Sequence, residues 1–508
     1  MMKRASSTDR MSGRIAVCAV FLFVHGSLFG QSLPALGANT KETTTLRIER
    51  VERSLLPAVE IVGQPLRKMS LQAALARYHV PGVSVAVIHH GAIDWAKGYG
   101  MLRLKGPVVN PATLFQAASI SKPVTATAVL RLVHEHKLSL DEDLNDRLRS
   151  WKVPNNQFTA THKVTLREIL SHSAGISVHG FPGYASSEAV PTLIQVLNGE
   201  KPAKTPPIRV ISVPGSTWSY SGGGFVILQQ ELLDITGRSF AELMKKEVLD
   251  PLGMTHSTFE QPLPPRLAAF AATPYRSSGK AVDGGWHTYP EMAAAGLWTT
   301  PSDLARFAIA LQQSLAGNRN AVLNVDVAKL MMTKQKQDWG LGVQLEGSDQ
   351  SARFQHSGGN EGFRCFLVAY EHTGDGAVVM TNSDSGDRVA KALIRSIAHE
   401  YGWPDFTTKK RELAHVNTSL YDQYVGQYQV DPETILTITR AREHLSGQIT
   451  DGLSSEIYPE SSNRFFATDD DLEITFLRSS AHTVNVAEIR FSGQRLRAPK
   501  VKPAPSNK

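Results

Sequence analysis

Residues 115–123 read Phe-Gln-Ala-Ala-Ser-Ile-Ser-Lys-Pro and lead directly into an apolar segment, residues 124–133. A helix that begins near Ser119 places Ser119 and Lys122 one turn apart on the same face. The serine hydroxyl then lies at the helix N-terminus, where unpaired N–H groups favour a developing anion. A lysine held neutral by a dry or cationic setting can remove the hydroxyl proton. The pattern therefore predicts an acylatable serine.

The Ser-x-x-Lys pattern is short, and a simple helix-capping serine is the alternative reading. A second copy, Ser277 to Lys280, lies among Gly, Ser and Asp residues at 275–285. That composition indicates an exposed turn without a helix to organise it. Further motifs in the chain are therefore needed to show whether the first copy has a chemical role.

The composition is that of a globular protein. The 508 residues predict two or more domains, and 42% are hydrophobic and 20% charged. The formal net charge is +7, but four of the basic residues lie within the first 37 positions. No Lys- or Arg-rich patch is interleaved with aromatic residues, so a nucleic-acid partner is not expected.

The N-terminus has the features of a secretory signal. Basic residues precede an apolar run at 15–29, and Ala35-Leu36-Gly37 offers small residues for cleavage. We expect residues 1–37 to be a signal peptide of a periplasmic or secreted protein, with no stable membrane span after cleavage. An uncleaved N-terminal anchor is the alternative. Only Cys365 follows this segment, so an internal disulfide is not possible.

Metal chemistry is not indicated. His134-Glu135-His136 lacks a further ligand close behind, since position 138 is leucine. Histidines are favourable at a helix C-terminus, which is the interpretation we prefer. We expect no metal and no other cofactor.

Four regions follow the signal segment. Residues 38–404 mix helices and strands, with a hairpin at 83–98 and a helix after three glycines that follow Tyr220. A polar linker is predicted at 405–418. Short strands recur over 419–498, which indicates a small all-β domain, a barrel or a sandwich. The Pro- and Lys-rich end, 499–508, is expected to be disordered.

Three motifs stand in order along the first large domain: Ser119-x-x-Lys122, Tyr220-Ser221-Gly222 and His356-Ser357-Gly358. Together they resemble the serine β-lactamase and penicillin-binding superfamily, in its class C β-lactamase-like branch. The resemblance spans residues 71–403 and includes the flanks 166–175 and 296–304. It implies an α/β (α+β) fold, a β-lactamase/transpeptidase-like antiparallel sheet flanked by helices with a helical subdomain.

The resemblance also implies roles for individual residues. Ser119 would be the nucleophile, and Lys122 its base or part of a base pair. Tyr220 would carry the proton to the leaving group, and His356 would stand where many members have the lysine of Lys-Thr-Gly.

The remaining roles concern backbone and small residues. The backbone N–H groups of Ser119 and Gly359 would form the oxyanion hole. Gly222, Ser357 and Gly358 would contact the substrate. His172 lies in a loop of small residues and is interpreted as structural.

Two departures from the family pattern bear on substrates. The second motif usually ends in asparagine, whereas Gly222 has no side chain. A histidine that is only partly charged near neutral pH holds a substrate carboxylate less well than a lysine. Arg364 is a possible substitute cation, although a surface arginine is the simpler reading. His372-Thr373-Gly374 resembles Lys-Thr-Gly more closely, but it lies in a turn at the far end of strand 364–370.

These observations predict a secreted serine hydrolase that works through an acyl-enzyme. The substrates left open are a β-lactam, a small amide or D-amino acid peptide, including peptidoglycan-like peptides, and an ester. The alternative is a non-catalytic cell-wall or ligand-binding protein that retains the penicillin-binding fold.

Overall fold

The computed structural model describes residues 36–501 apart from 319–320, 433, 442, 451, 481–482 and 492–493. The helices are α1 (Leu36–Arg53), α2 (Leu71–Arg77), α3 (Ser121–His134), α4 (Leu144–Arg147), α5 (Leu166–Leu170), α6 (Leu193–Asn198), α7 (Gly222–Thr236), α8 (Phe240–Met244), α9 (Pro265–Ala268), α10 (Met292–Ala295), α11 (Pro301–Leu315), α12 (Val325–Met331), α13 (Gly386–Tyr401) and α14 (Tyr421–Tyr424). Short 3-10 helices lie at Ala118–Ile120, Asp349–Ser351 and Thr418–Leu420, and a π-helical turn at Lys245–Leu249.

The strands are β1 (Val59–Ile61), β2 (Gly82–His89), β3 (Ala92–Gly100), β4 (Phe115–Gln116), β5 (Trp298–Thr299), β6 (Gln344–Glu346), β7 (Arg353–Asn360), β8 (Phe363–Tyr370), β9 (Gly376–Thr381), β10 (Lys409–Arg411), β11 (Gly426–Gln429), β12 (Ile435–Ala441), β13 (His444–Ile449), β14 (Ser455–Pro459), β15 (Arg464–Ala467), β16 (Leu472–Arg478), β17 (Val484–Phe491) and β18 (Gln494–Val501). The described residues from Thr44 to Val501 belong to one compact unit.

A six-stranded antiparallel sheet, in the order β3-β2-β9-β8-β7-β6, separates two apolar cores. Because side chains alternate along a strand, Val83 and Val85 of β2 pack with α2 and α13 on one face. Ala86 and Ile88 face the larger core on the other side, which contains α3, α7 and α11. This arrangement confirms the antiparallel sheet flanked by helices that the resemblance implied.

The start of α3 is held against the sheet by a short strand pair. Residues of β4 pair with β5, and the Ala117 N–H donates to the Leu297 carbonyl at 2.8 Å. On the other side, β7 approaches the same turn. A β-carbon added at Gly358 would lie 2.2 Å from the Ala117 carbonyl oxygen. Only glycine therefore allows this approach of β7 to the segment that contains Ser119.

Strands β11–β18 close into an eight-stranded barrel, so of the two predicted alternatives the barrel is correct. Its interior is filled by apolar side chains, with the rings of Tyr424 and Phe476 stacked at 4.5 Å. The prediction of a disordered tail from 499 is wrong for its first three residues. Pro499 pairs with Val486, and β18 also pairs with β11 to close the barrel. Pairing on both edges orders a segment whose composition alone suggested disorder.

The predicted linker contains a strand. Residues 409–411 form β10, which pairs in parallel with β1, and Arg411 forms ion pairs with Glu460 and Glu473 of the barrel. The basic residues that suggested a solvated linker therefore find acidic partners in the tertiary structure. The barrel also contacts α13, where Lys391 and Asp470 lie 3.0 Å apart.

The predicted signal peptide falls almost entirely on residues 1–35, which lie outside the described residues. Within the part of the chain that the structure describes, none of the helices has the length and apolar character needed to cross a bilayer.

Candidate active site

Ser119 lies in a strained turn at the entrance to α3. It is the middle residue of the 3-10 helix Ala118–Ile120, and Ala118 before it has φ of +49°. Such a conformation is unusual for a residue with a side chain and persists only where its surroundings hold it. Here the Ser121 hydroxyl donates to the Ala118 carbonyl at 2.6 Å and accepts from the Leu297 N–H at 3.0 Å. The α-helix itself begins at Ser121, two residues later than the sequence pattern suggested.

Lys122 is buried beneath Ser119. Its Nζ lies 3.0 Å from Ser119 Oγ and 2.9 Å from the Ala294 carbonyl oxygen, and its side chain is almost fully buried. Burial penalises the charged ammonium and lowers the pKa of Lys122 to about 7. A substantial fraction of this amine is therefore neutral near pH 7, as proton abstraction from Ser119 requires.

Tyr220 lies directly before the N-terminus of α7, where Ser221 caps the helix by accepting from the Gly224 N–H at 3.0 Å. Its hydroxyl lies beside the side chain of Ser119, and its ring centroid lies 5.0 Å from Lys122 Nζ. Burial raises the pKa of Tyr220 well above its usual value. The phenol is therefore protonated near neutral pH and can donate a hydrogen bond.

His172 packs against Tyr220 and the start of α7. It is buried, its Nδ1 accepts from the Ser221 N–H at 3.2 Å, and its ring lies 4.2 Å from that of Tyr220. Because of burial and the nearby Lys122, the pKa of His172 is well below its usual value. These contacts are those of a structural histidine, as the loop composition suggested.

His356 joins the group from β7. It is buried, and its ring lies 6.2 Å from Tyr220 and 5.5 Å from Trp339. Burial, reinforced by Lys122, lowers the pKa of His356 to about 3. The expectation of a partly charged histidine at this position is therefore wrong, because the sequence does not show how deeply the ring is buried.

The loop at 178–181 packs so closely against Gly222 that it leaves little room for a side chain there. A β-carbon added at Gly222 would lie 2.9 Å from Phe181 Cε2 and 3.0 Å from the His179 carbonyl oxygen. The same carbonyl accepts from the Gly222 N–H at 3.0 Å. Val178 has φ of +66°, a strained conformation for a β-branched residue. The loop thus fills the space into which the usual asparagine would extend, and it places the exposed His179 ring 4.9 Å from Tyr220.

The end of β7 borders the site opposite the loop at 178–181. Ser357 and Gly359 are exposed, whereas Gly358 packs against the Ser119 turn. Arg364 on β8 pairs with Gly359 and is partly buried rather than a free surface residue. Its guanidinium donates to the carbonyls of Asn360 and Phe363 and forms an ion pair with Asp384 at 3.0 Å.

The structure thus brings Ser119, Lys122, Tyr220 and His356 together, with Gly358 and Gly359 alongside. His372 lies in the turn between β8 and β9, at the far end of the β7–β8 hairpin. Sequence reasoning missed Trp339 and His179, which touch the group from loops. No periodicity or motif marks either residue, so only the tertiary structure could find them.

The antiparallel sheet, the helical layer and the serine with its buried lysine define a protein of the serine hydrolase kind. The family model described as Beta-lactamase matches residues 69–401. The chain belongs to this family.

Individual relatives agree with this assignment. Penicillin-binding protein 4* of Bacillus subtilis (strain 168) is 24% identical over 406 residues, which cover 75% of this chain and 86% of that protein. Among solved structures, the octameric penicillin-binding protein homologue from Pyrococcus abyssi has a TM-score of 0.58 at 18% identity, covering 84% of this chain and 99% of that one. The D-amino acid amidase from Ochrobactrum anthropi SV3, complexed with D-phenylalanine, has a TM-score of 0.52 at 21% identity, covering 64% and 96%. The two structures share the fold.

Proposed function

We propose that this protein is a serine hydrolase that forms an acyl-enzyme on Ser119. The observation that carries the proposal is the 3.0 Å contact between Ser119 Oγ and the buried amine of Lys122. A desolvated lysine with a lowered pKa is a suitable general base near neutral pH. In acylation, Lys122 takes the hydroxyl proton as Ser119 Oγ attacks the substrate carbonyl.

Tyr220 would complete the proton transfer. Its phenol, which lies beside Ser119, gives a proton to the leaving nitrogen or oxygen and recovers one from Lys122. In deacylation the same pair takes a proton from water as the water attacks the ester carbonyl, and Ser119 Oγ leaves with a proton. One acyl bond is broken in each step, and no cofactor is needed.

The oxyanion hole would consist of the backbone N–H groups of Ser119 and Gly359. The packing of Gly358 against Ala117 holds the end of β7 next to the Ser119 turn, which supports this assignment. Two N–H donors aimed at the tetrahedral oxygen stabilise its charge in a dry site. Gly222, Ser357 and Gly358 would border the bound substrate.

The proposed substrates are a β-lactam, a small amide or D-amino acid peptide, or an ester, as in the class C-like branch. The amide among these candidates is supported by one structural neighbour, which is named a D-amino acid amidase and is complexed with D-phenylalanine. A location outside the cytoplasm would follow from the signal-like residues 1–37. N-terminal sequencing of the exported protein tests this, with an uncleaved anchor as the alternative outcome.

The test combines labelling with turnover. The purified protein is incubated with a fluorophosphonate and assayed with a nitrophenyl ester, a chromogenic cephalosporin and a D-alanyl anilide. We expect labelling and at least one hydrolytic activity, both lost in Ser119→Ala. Ser277→Ala, in the second Ser-x-x-Lys copy, is the matched control and should leave both unchanged. An unreactive Ser119 in folded protein would favour the alternative, a non-catalytic ligand-binding protein.

A further inference from the structure

The tautomer of His356 is fixed by its own strand. Its Nδ1 lies 2.6 Å from the Ser357 carbonyl oxygen, which can only accept, so Nδ1 carries the hydrogen. Its Nε2 is buried and has no hydrogen-bond partner among the residues that the structure describes. In the neutral ring, Nε2 therefore presents a lone pair.

A charged ring is disfavoured at this position. A second N–H at Nε2 would be a buried donor without a partner, which is costly. Lys122 lies close enough to oppose a further positive charge, and burial keeps the pKa of His356 at about 3. The position that many family members fill with a cation is thus occupied by a neutral hydrogen-bond acceptor.

The charged groups of Lys122, Arg364 and Arg276 are already engaged. Lys122 Nζ donates to Ser119 and to the Ala294 carbonyl. The guanidinium of Arg364 donates to two carbonyl groups and lies 3.0 Å from Asp384. Arg276 adds a positive charge near Asp384, but it forms an ion pair with Glu361. The positive charges of Arg364 and Arg276 are thus balanced by the negative charges of Asp384 and Glu361.

The wall next to His356 is aromatic. Trp339 is buried, with its ring 5.5 Å from His356 and 5.7 Å from Tyr220. Trp218 stacks on Trp339 at 5.9 Å. Aromatic faces lower the local dielectric and offer dispersion contacts, but they do not neutralise the negative charge of a substrate carboxylate.

We propose that the cleft beside β7 accepts an uncharged group, so that the substrate is an ester or amide without a carboxylate on that side. The neutral ring of His356 offers no positive charge to a carboxylate, and the neighbouring ring of Trp339 suits an uncharged group. This inference rests on the proposed acyl-enzyme function and names the substrate class within it.

A matched pair of thioesters tests the inference on the unmodified protein. One is benzoyl-D-alanyl thioglycolic acid, and the other is its primary carboxamide, which differs only in the charge of the leaving group. Thiol release is followed with a disulfide reagent. We expect kcat/KM to be at least about tenfold higher for the carboxamide, because a site rejects a group that leaves polar atoms unpaired. A preference for the free acid would overturn the inference.

Two substitutions at one position sharpen the test. His356→Lys supplies the missing cation and should shift the preference toward the free acid by about tenfold or more. His356→Gln remains neutral and should keep the preference for the carboxamide. Fluorophosphonate labelling of Ser119 shows which variants are folded. If His356→Lys does not fold, the comparison on the unmodified protein decides alone.

Other outcomes separate the possible failures. If the unmodified protein prefers the free acid and Arg364→Gln removes that preference, Arg364 is the anion site and the inference is wrong. If neither thioester is cleaved and Ser119 is not labelled, the proposed function itself fails. Labelling of Ser119 with equal rates on both thioesters would overturn the inference and retain the function.

Discussion

The chain contains Ser-x-x-Lys twice, and the two copies differ in burial and in secondary structure. Lys122 is almost fully buried beneath Ser119, at the start of a 14-residue helix. Lys280 is exposed in a turn, where the Arg276 N–H donates to its carbonyl at 2.8 Å. A serine and a lysine three residues apart become a reactive pair only where burial removes water from the amine. The comparison shows that the chemistry depends on the surroundings of the motif.

The largest effect is expected from removing each lysine in turn. Lys122→Met keeps the buried volume but removes the base, so kcat/KM should fall by about 10³-fold or more. Lys280→Met should leave kcat/KM unchanged. Steady-state kinetics on the best substrate measure both. Equal losses in the two variants would contradict the distinction drawn between the copies.

A smaller effect is expected from disturbing the support of Ser119. In Gly358→Ala the new β-carbon would meet the Ala117 carbonyl at 2.2 Å and push β7 away from the turn. Misplacing the end of β7 should lower kcat by about 10²-fold. Gly447→Ala in the barrel, where the nearest atoms lie at 3.5 Å, is the matched control. Comparable kcat values for the two variants would show that the approach of β7 is not needed.

The smallest effect concerns pH. Because the pKa of Lys122 is lowered to about 7, kcat/KM should rise with pH up to about 7 and fall about tenfold per unit below it. The rise cannot come from His356 or His172, since burial holds the pKa of each well below its usual value. A pH–rate profile measures it. A flat profile between pH 5 and 8 would argue against Lys122 as the base.

The same shift affects stability with a definite sign. The pKa of Lys122 falls from 10.5 to about 7 on folding, so between these values the unfolded chain binds the proton more tightly. The free energy of unfolding should therefore rise with pH across this window, as far as Lys122 contributes. Denaturant unfolding of the protein and of Lys122→Met checks this contribution.

Local patterns predicted the elements that carry the site. The apolar segment at 124–133, the glycines after Tyr220 and the hairpin at 83–98 correctly predicted α3, α7 and the β2–β3 pair. Local pattern does not explain where β6 begins, since only Gln344–Glu346 is extended. Gly342 lies against α3 instead, where an added β-carbon would meet Ala126 Cβ at 2.5 Å. Periodicity cannot show such a contact, because it depends on another element.

The sequence by itself determined the family, the order of the three motifs and the residues that could react. The tertiary structure alone decided how deeply Lys122 and His356 are buried and that the loop at 178–181 packs against Gly222. The physical reason is that desolvation is produced by atoms far apart in the chain. The pKa of a buried side chain and the packing around Gly222 are therefore properties of the folded molecule, and a local sequence pattern cannot predict them.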